Sequence, residues 1–511
     1  MTTPFTISNV TSVVSAGVNS IDSLIGGAKW ADSSISYSFP SINNTFFWST
    51  NANIGYGSQI GSGEPWNEAF GSISSANQTH FGQALQQWSN VADISFELVE
   101  EETPSNVGDI RVAITDHVND TFVAWAYLPA SANQAGDIWI NDGNLLDTQE
   151  WEPGNTSFQA ILHEAGHALG LEHPFSDSPA DTTTLTEVQD SLIHTVMSYS
   201  YRDVAGVTGL DYSYHPTTPM VLDIAAIQYL YGANTTYHAD DDVYTFDDAN
   251  TYHETIWDAG GSDTIQYTGT AATTIDLNPA GASYIGNPIY MLTEDFNTNL
   301  PIPNVWIAEG AIIENVIGGQ GNDLLIGNES SNVLDGGAGI DTVQLDAQQD
   351  DYSLDKTSEG FTIIANTLLA NEDTLTNIER LQFEDSNLAL DLAGHAGQTA
   401  KILGVVFGAS SVTNAEFVGI GLTELDNGMS YEQLGELAIN VTGLTNHDEI
   451  VSLLWKNIFG AAPSAEEKAP YIELLNDGMS VGALTVAAAD SSFNTENIDL
   501  VGLAETGIGF I

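Results

Sequence analysis

The chain of 511 residues contains no cysteine, so no disulfide can brace it. A protein exported without disulfides must draw stability from another source, and bound metal is the obvious one. Basic side chains are scarce too: eight Lys and Arg stand against 69 Asp and Glu, a formal charge of −61. Such a surface repels phosphate backbones, which excludes nucleic acid as a partner. It suits calcium loading, or a saline medium that screens the remaining charge. The acidic residues are spread along the chain, which makes them a solvated surface and not an acidic tail. No apolar run is long enough to cross a membrane, so no membrane insertion is expected. The first twenty residues, MTTPFTISNVTSVVSAGVNS, lack the basic start and apolar stretch of a signal peptide, and export would need another route.

What the chain does have is a normal 42% of hydrophobic residues, enough at this length for two or three domains. Its chemistry concentrates in residues 161–175, ILHEAGHALGLEHPF. Ile161, Leu162, Ala165, Ala168 and Leu169 carry a helical period, which puts His163 and His167 on one face, one turn apart. Two imidazoles so placed can hold one Zn²⁺. Glu164 lies beside the first of them, where a carboxylate can accept a proton from water instead of binding the metal. Gly170 allows a positive φ at the helix end, which would swing His173 back as a third ligand. Three neutral nitrogens leave a position open, as in catalytic and not structural zinc sites.

This extended pattern resembles the metzincin metalloproteases, which also need a methionine turn downstream. SLIHTVMSYS supplies one, with Met197 as the turn residue. Pro174 after the third His, and Ser198 and Tyr199 after Met197, resemble the serralysins, secreted bacterial proteases with calcium-binding repeats. The likeness extends through GDIWIN at residues 136–141 and PMVLDIAAIQYLYGAN at residues 219–234. It implies that Tyr199 reaches the zinc or the reacting oxyanion, and that residues 1–20 sit where that family carries a propeptide.

Along the catalytic region, residues 75–90 read as a helix with Phe81, Leu85 and Trp88 on one stripe. Strands are expected near residues 94–100, 109–115, 122–128 and 137–141. By likeness to metzincins, residues 124–128 are the candidate edge strand that pairs with an extended substrate. VLDIAAIQYLY, residues 221–231, reads as a helix stopped by Gly232, so the catalytic domain is expected to span residues 21–234.

Calcium signals follow. DAGGSD contributes Asp258, Gly260, Gly261 and Asp263. A run of period nine from residue 318, GGQGNDLLI, GNESSNVLD, GGAGIDTVQ, contributes Gly319, Gly321, Asp323, Gly337, Gly339 and Asp341. This period matches a parallel β-roll, where glycines permit tight turns and each sixth-position Asp supplies a carboxylate. The middle repeat has Asn332 in the Asp position and is read as a spacer. Asp240, Asp242 and Glu314 match further serralysin calcium positions, although His238 and Asp240 depart from the family's Arg and Gly there. The roll and its covering strands are expected over residues 235–395.

From residue 396 to 511 the composition turns helical. FGASSVTNAEFVGIGLTELDNGMS at Phe407 is echoed by FGAAPSAEEKAPYIELLNDGMS at Phe459, each a helix, loop, helix and turn opening another helix. The second copy resembles a helical domain appended to secreted and surface-layer bacterial proteins. The ending, GLAETGIGFI, resembles the uncleaved C-terminal signal of type I secretion substrates.

The fold expected is α+β: a metzincin-type catalytic domain, a parallel β-roll domain and an all-α C-terminal domain. The function expected is that of a monomeric, secreted, extracellular zinc endopeptidase acting on proteins or peptides. Its expected cofactors are Zn²⁺ and Ca²⁺, and type I secretion machinery is its expected export partner. The rival reading is a calcium-dependent surface or adhesion protein with an incidental protease domain.

Overall fold

A computed structural model describes residues 9–41, 48–51, 53, 55–57, 64–116, 123–176, 183–293, 298–366 and 371–511. It divides into two compact units, residues 1–264 with 277–313, and residues 265–276 with 314–511.

The first unit is built on a five-stranded sheet. Its strands are β1 (Ser34–Ser38), β2 (Ser95–Leu98), β3 (Ile110–Thr115), β4 (Ala124–Ala126) and β5 (Ile138–Asn141), in the spatial order β2-β1-β3-β5-β4. All neighbours run parallel except β4, which ends the sheet antiparallel to β5. The edge position is that expected for residues 124–128; residue 122 lies outside the described residues. Helix α1 (Ser75–Val91) starts at Ser74, whose hydroxyl caps the Asn77 N–H. Its predicted stripe of Phe81, Leu85 and Trp88 is at most 1% exposed. Burial of that stripe stabilises the unit by about 2 kcal/mol per side chain. Trp88 also donates its indole N–H to the Leu162 carbonyl on α2 (Thr156–Leu169), 3.2 Å away. Helix α3 (Val221–Tyr231) follows and ends at Gly232.

The expected boundary after residue 234 is not where the units divide. Strand Ile289–Thr293 pairs antiparallel with Gly209–Tyr212, and the Trp257 indole donates to the Asn234 carbonyl. Backbone pairing of this kind makes residues beyond 234 part of the same unit. At the other end, Val10–Ser12 pairs with Ala28–Trp30, so part of the expected propeptide is an integrated strand. Residues 1–8 lie outside the described residues.

In the second unit, nine-residue periodicity becomes geometry. Strands β6 (Thr274–Asp276), β7 (Asn315–Ile317), β8 (Leu324–Ile326), β9 (Val333–Asp335) and β10 (Thr342–Gln344) alternate between two sheets. Leu324 pairs with Thr342 and Asn315 with Val333, each pair parallel and one full coil of 18 residues apart. The central residues Val316, Leu325, Leu334 and Val343 all point inward and are at most 1% exposed.

A hairpin, β11 (Tyr352–Lys356) and β12 (Gly360–Ala365), then interrupts the coil. After it, β13 (Glu372–Thr376) pairs with β9, β14 (Arg380–Gln382) pairs with β10, and β15 (Asn387–Ala389) follows antiparallel.

Helices α4 (His395–Phe407), α5 (Ala415–Asp426) and α6 (Tyr431–Thr442) are repeated as α7 (His447–Phe459), α8 (Ala465–Asn476) and α9 (Val481–Ala489). The C-terminal region is helical as expected, and its helices pack against the roll. Ala389 and Leu392 share one apolar cluster with Ala396, Leu403, Val418 and Ile508, which ties roll to helices. The last residues return as β16 (Ile508–Phe510), pairing with β15, so the predicted secretion tail is a strand of the roll sheet with Ile508 buried. Among the described residues no helix is long and apolar enough to cross a membrane.

Candidate active site

Helix α2 buries Ile161, Leu162, Ala165, Ala168 and Leu169, the predicted apolar face. Gly170 ends it at φ 110, as its place in the sequence requires, and a Cβ there would lie 2.8 Å from the Ala28 carbonyl oxygen. The bend brings His173 back onto the helix. Its Nε2 lies 3.1 Å from that of His167 and 3.3 Å from that of His163.

These separations fit three corners of a tetrahedron around Zn²⁺, which with Zn–N bonds of about 2.0–2.1 Å spaces its ligands about 3.3 Å apart. Chemistry of the donors supports the same ion. His163 Nδ1 faces the Val196 carbonyl and His167 Nδ1 faces the Leu171 carbonyl, both at 2.8 Å. A carbonyl only accepts, so each Nδ1 carries the hydrogen and each Nε2 presents a lone pair. Burial, with His167 and His173 adding, holds the His163 imidazole well below its usual range and hence neutral. Lone pairs converging on one point are satisfied by a cation.

Glu164 is buried, which pushes its carboxyl up to about 8. Its Oε2 has no hydrogen-bond partner among the described residues. Glu164 and His163 line a cleft with Ala124 of the edge strand β4, Leu192, Tyr199 and Tyr201. Tyr199 is 62% exposed, and its hydroxyl lies 2.7 Å from His173 Nε2. Phe175 stacks on His173, the rings 4.8 Å apart. Met197 is fully buried under the site, and a Cβ on Gly166 would come within 2.7 Å of its Sδ. At the second variable position of HEAGH any larger residue would therefore have to displace the Met197 side chain.

The calcium positions fall into two kinds. In the first unit Asp242, Asp258 and Asp263 bring carboxylate oxygens within 4.8 Å of one another. Asp263 also accepts the Asp242 N–H, and Tyr244 donates to Asp258. Gly260 and Gly261 take φ 132 and 155, and a Cβ on Gly261 would lie 2.4 Å from the Asp240 carbonyl oxygen. Asp240 contributes backbone there; its exposed side chain is not in the carboxylate group.

In the second unit Asp323 and Asp341 are buried at the starts of β8 and β10 and form a ladder, not a three-carboxylate group. The Asp323 N–H donates to Asp341 Oδ1, and Gly319 N–H to Asp323 Oδ2, each at 2.8 Å. Gly339 takes φ 144 where a Cβ would meet the Gly321 carbonyl at 2.1 Å, and Gly337 meets the Gly319 carbonyl similarly. Burial, then the charges of Asp323, Glu379 and Asp335, push Asp341 up to about 7. Glu314 begins the other edge, its carbonyl accepting from Asn332 Nδ2 at 3.0 Å. That amide explains the spacer repeat: its NH₂ supplies the positive end that a cation would supply elsewhere.

Three residues of these sites escape sequence reasoning. Glu379 accepts the Asp341 N–H and Asp373 accepts the Asn332 N–H, both at 2.8 Å, continuing the two ladders. The hairpin hides their place in the period. Asp223, within the recognised residues 219–234, accepts from Thr195 and Val196 of the methionine turn. Only its isolation among Val221, Ile224 and Ile227 could have marked it.

Comparison with known proteins gives two family matches. A family described as Matrixin covers residues 67–210, and one described as Peptidase M10 serralysin C terminal covers residues 222–458. The chain is 35% identical over 295 residues to a serralysin of Photorhabdus laumondii, covering 53% of this chain and 57% of the relative. A serralysin of Proteus mirabilis is 32% identical over 330 residues, 59% of this chain and 60% of that one. The metalloprotease AprA of Pseudomonas entomophila is 34% identical over 296 residues, covering 53% and 57%. The chain thus spans a little more than half the length of the curated relatives it matches.

Proposed function

We propose that the chain is a serralysin-like metzincin, a zinc-dependent endopeptidase acting on extended polypeptides in the cleft beside His163. One observation carries the reading: the His173 Nε2 lies 3.1 Å from that of His167 and 3.3 Å from that of His163, beside a buried carboxylate with an oxygen that has no partner among the described residues. His163, His167 and His173 would hold Zn²⁺, which when bound supplies the Lewis acidity that makes water nucleophilic near neutral pH.

The rest is done by the chain's own groups. Substrate backbone adds to the open edge of β4, a mode that recognises any extended peptide. Glu164, whose burial gives it a high proton affinity, takes the proton of the attacking water and passes it to the leaving amine. Tyr199, exposed and beside His173, offers its hydroxyl to the developing oxyanion. Glu164→Gln should keep zinc, by metal analysis, and lower kcat/KM on casein by about 10²–10⁴. A Gln variant with wild-type turnover sinks the assignment.

Calcium would be structural. Asp242, Asp258 and Asp263 would hold it in the first unit, and the turns carrying Asp323 and Asp341 in the second, with Glu314 at the start of the other edge. Since a carboxylate ladder closes poorly without a cation, the roll would fold after export into a calcium-rich exterior. The tail residues 502–511 would be read by type I secretion machinery before they are folded in as β16, and the first residues would serve as a propeptide.

A further inference from the structure

The methionine turn is held from below by one side chain of α3. Asp223 is fully buried, in a turn whose neighbours Val221, Ile224, Ala226 and Ile227 are buried apolar residues. Its Oδ1 accepts the Thr195 hydroxyl at 2.6 Å, and its Oδ2 accepts the N–H groups of Val196 at 2.7 Å and Met220 at 2.8 Å. The Thr195 Oγ1 in turn accepts the Met197 N–H at 3.1 Å. One carboxylate therefore fixes residues 195–197, directly or through one hydroxyl.

All three donors to Asp223 are uncharged, so its burial is not compensated by a cation through these bonds, and an apolar side chain would suit the helix face better. What the carboxylate secures is placement. Val196 donates its N–H to Asp223, and the carbonyl of the same residue accepts His163 Nδ1–H at 2.8 Å. Gln159 reaches that carbonyl only at 3.4 Å. The orientation of His163, and the tautomer that leaves its Nε2 bare, thus rest on a turn that Asp223 clamps.

We propose that Asp223 is a positioning residue for the His163 imidazole, acting through Val196 and touching neither metal nor substrate. The inference rests on the zinc endopeptidase reading and extends it to α3.

The test uses the full chain in calcium with Asp223→Ala, Asp223→Asn and Thr195→Val. Zinc Kd is measured by competition with a chromophoric chelator, ligand geometry by the visible absorption of the Co²⁺-substituted protein, and folding by near-UV circular dichroism. Asp223→Ala and Thr195→Val should weaken zinc binding about 10–100-fold and move the Co²⁺ bands. Asp223→Asn should restore most of the affinity, because its amide oxygen can still accept the two N–H groups and Thr195 can turn to accept from its NH₂. A folded Asp223→Ala protein with wild-type Kd and wild-type Co²⁺ spectrum overturns the proposal. Should that variant fail to fold, the same result from Thr195→Val overturns it. If the wild-type chain cleaves casein with zinc while the variants are unaltered, only the role of Asp223 falls. If wild type takes up no zinc, both readings fall together.

Discussion

The imidazole cluster of the first unit and the carboxylate ladder of the second prepare for a cation in opposite ways. Burial keeps the His163 imidazole neutral, the Val196 and Leu171 carbonyls orient His163 and His167, and buried Met197 floors the cluster. Nothing in that arrangement repels itself strongly, so it can be complete before a metal arrives. On the ladder, Asp341 is buried beside Asp323, Glu379 and Asp335, and its carboxyl has risen to about 7. Charged ligands held together need either a proton or a cation to stay folded. Neutral donors yield a preformed reactive site; charged donors yield a fold conditional on the ion.

The largest expected effect separates the two directly. A zinc-selective chelator should abolish nearly all casein cleavage and leave far-UV circular dichroism unaltered, whereas a calcium chelator should lower the melting temperature and remove β signal from the roll. Loss of β signal on zinc removal alone would break the contrast.

A smaller effect is the pH dependence of the ladder. Asp341 has a folded value of about 7 against an unfolded 3.8, so the folded form binds its proton more tightly. Without calcium, the part of stability due to Asp341 is present below about 4 and is lost as pH rises through about 7. With calcium the sign reverses, since the ion needs the carboxylate bare. Apparent calcium affinity should fall as pH drops through 7, and Asp341→Asn should flatten the chelated protein's dependence in that window. Thermal melts at pH 5 and pH 8, with and without chelator, check both.

The smallest and sharpest change is Asn332→Asp. It removes the NH₂ that donates to the Glu314 carbonyl and the Asn328 side chain and adds a charge. It should cost about 1–3 kcal/mol in chelator and recover part of that in calcium. Equal cost under both conditions would show that this rung cannot take an ion.

The histidine cluster was legible in the sequence because His163, His167 and His173 lie within eleven residues, where helical period and one glycine decide the geometry. The roll was legible for the same reason: its strands recur at residues 315, 324, 333 and 342. Asp223 was not, because its partners Thr195 and Val196 lie on the methionine turn, and only tertiary packing shows that the carboxylate points there. Glu379 was hidden because a hairpin separates Thr342 from its register partner Arg380, so no fixed spacing survives. Gly232 does end a helix, but a helix stop says nothing of the later strand at Ile289–Thr293 that returns to pair with Gly209–Tyr212.

The 18-residue register of the roll has a consequence for how the chain could be altered. Since Leu324 and Thr342 occupy equivalent places one coil apart, deleting or duplicating the intervening segment would shift everything beyond it by a single strand spacing, about 4.8 Å, with every side chain still facing its own side. Reach could therefore be adjusted in whole coils, like links added to a chain, without redesigning either end.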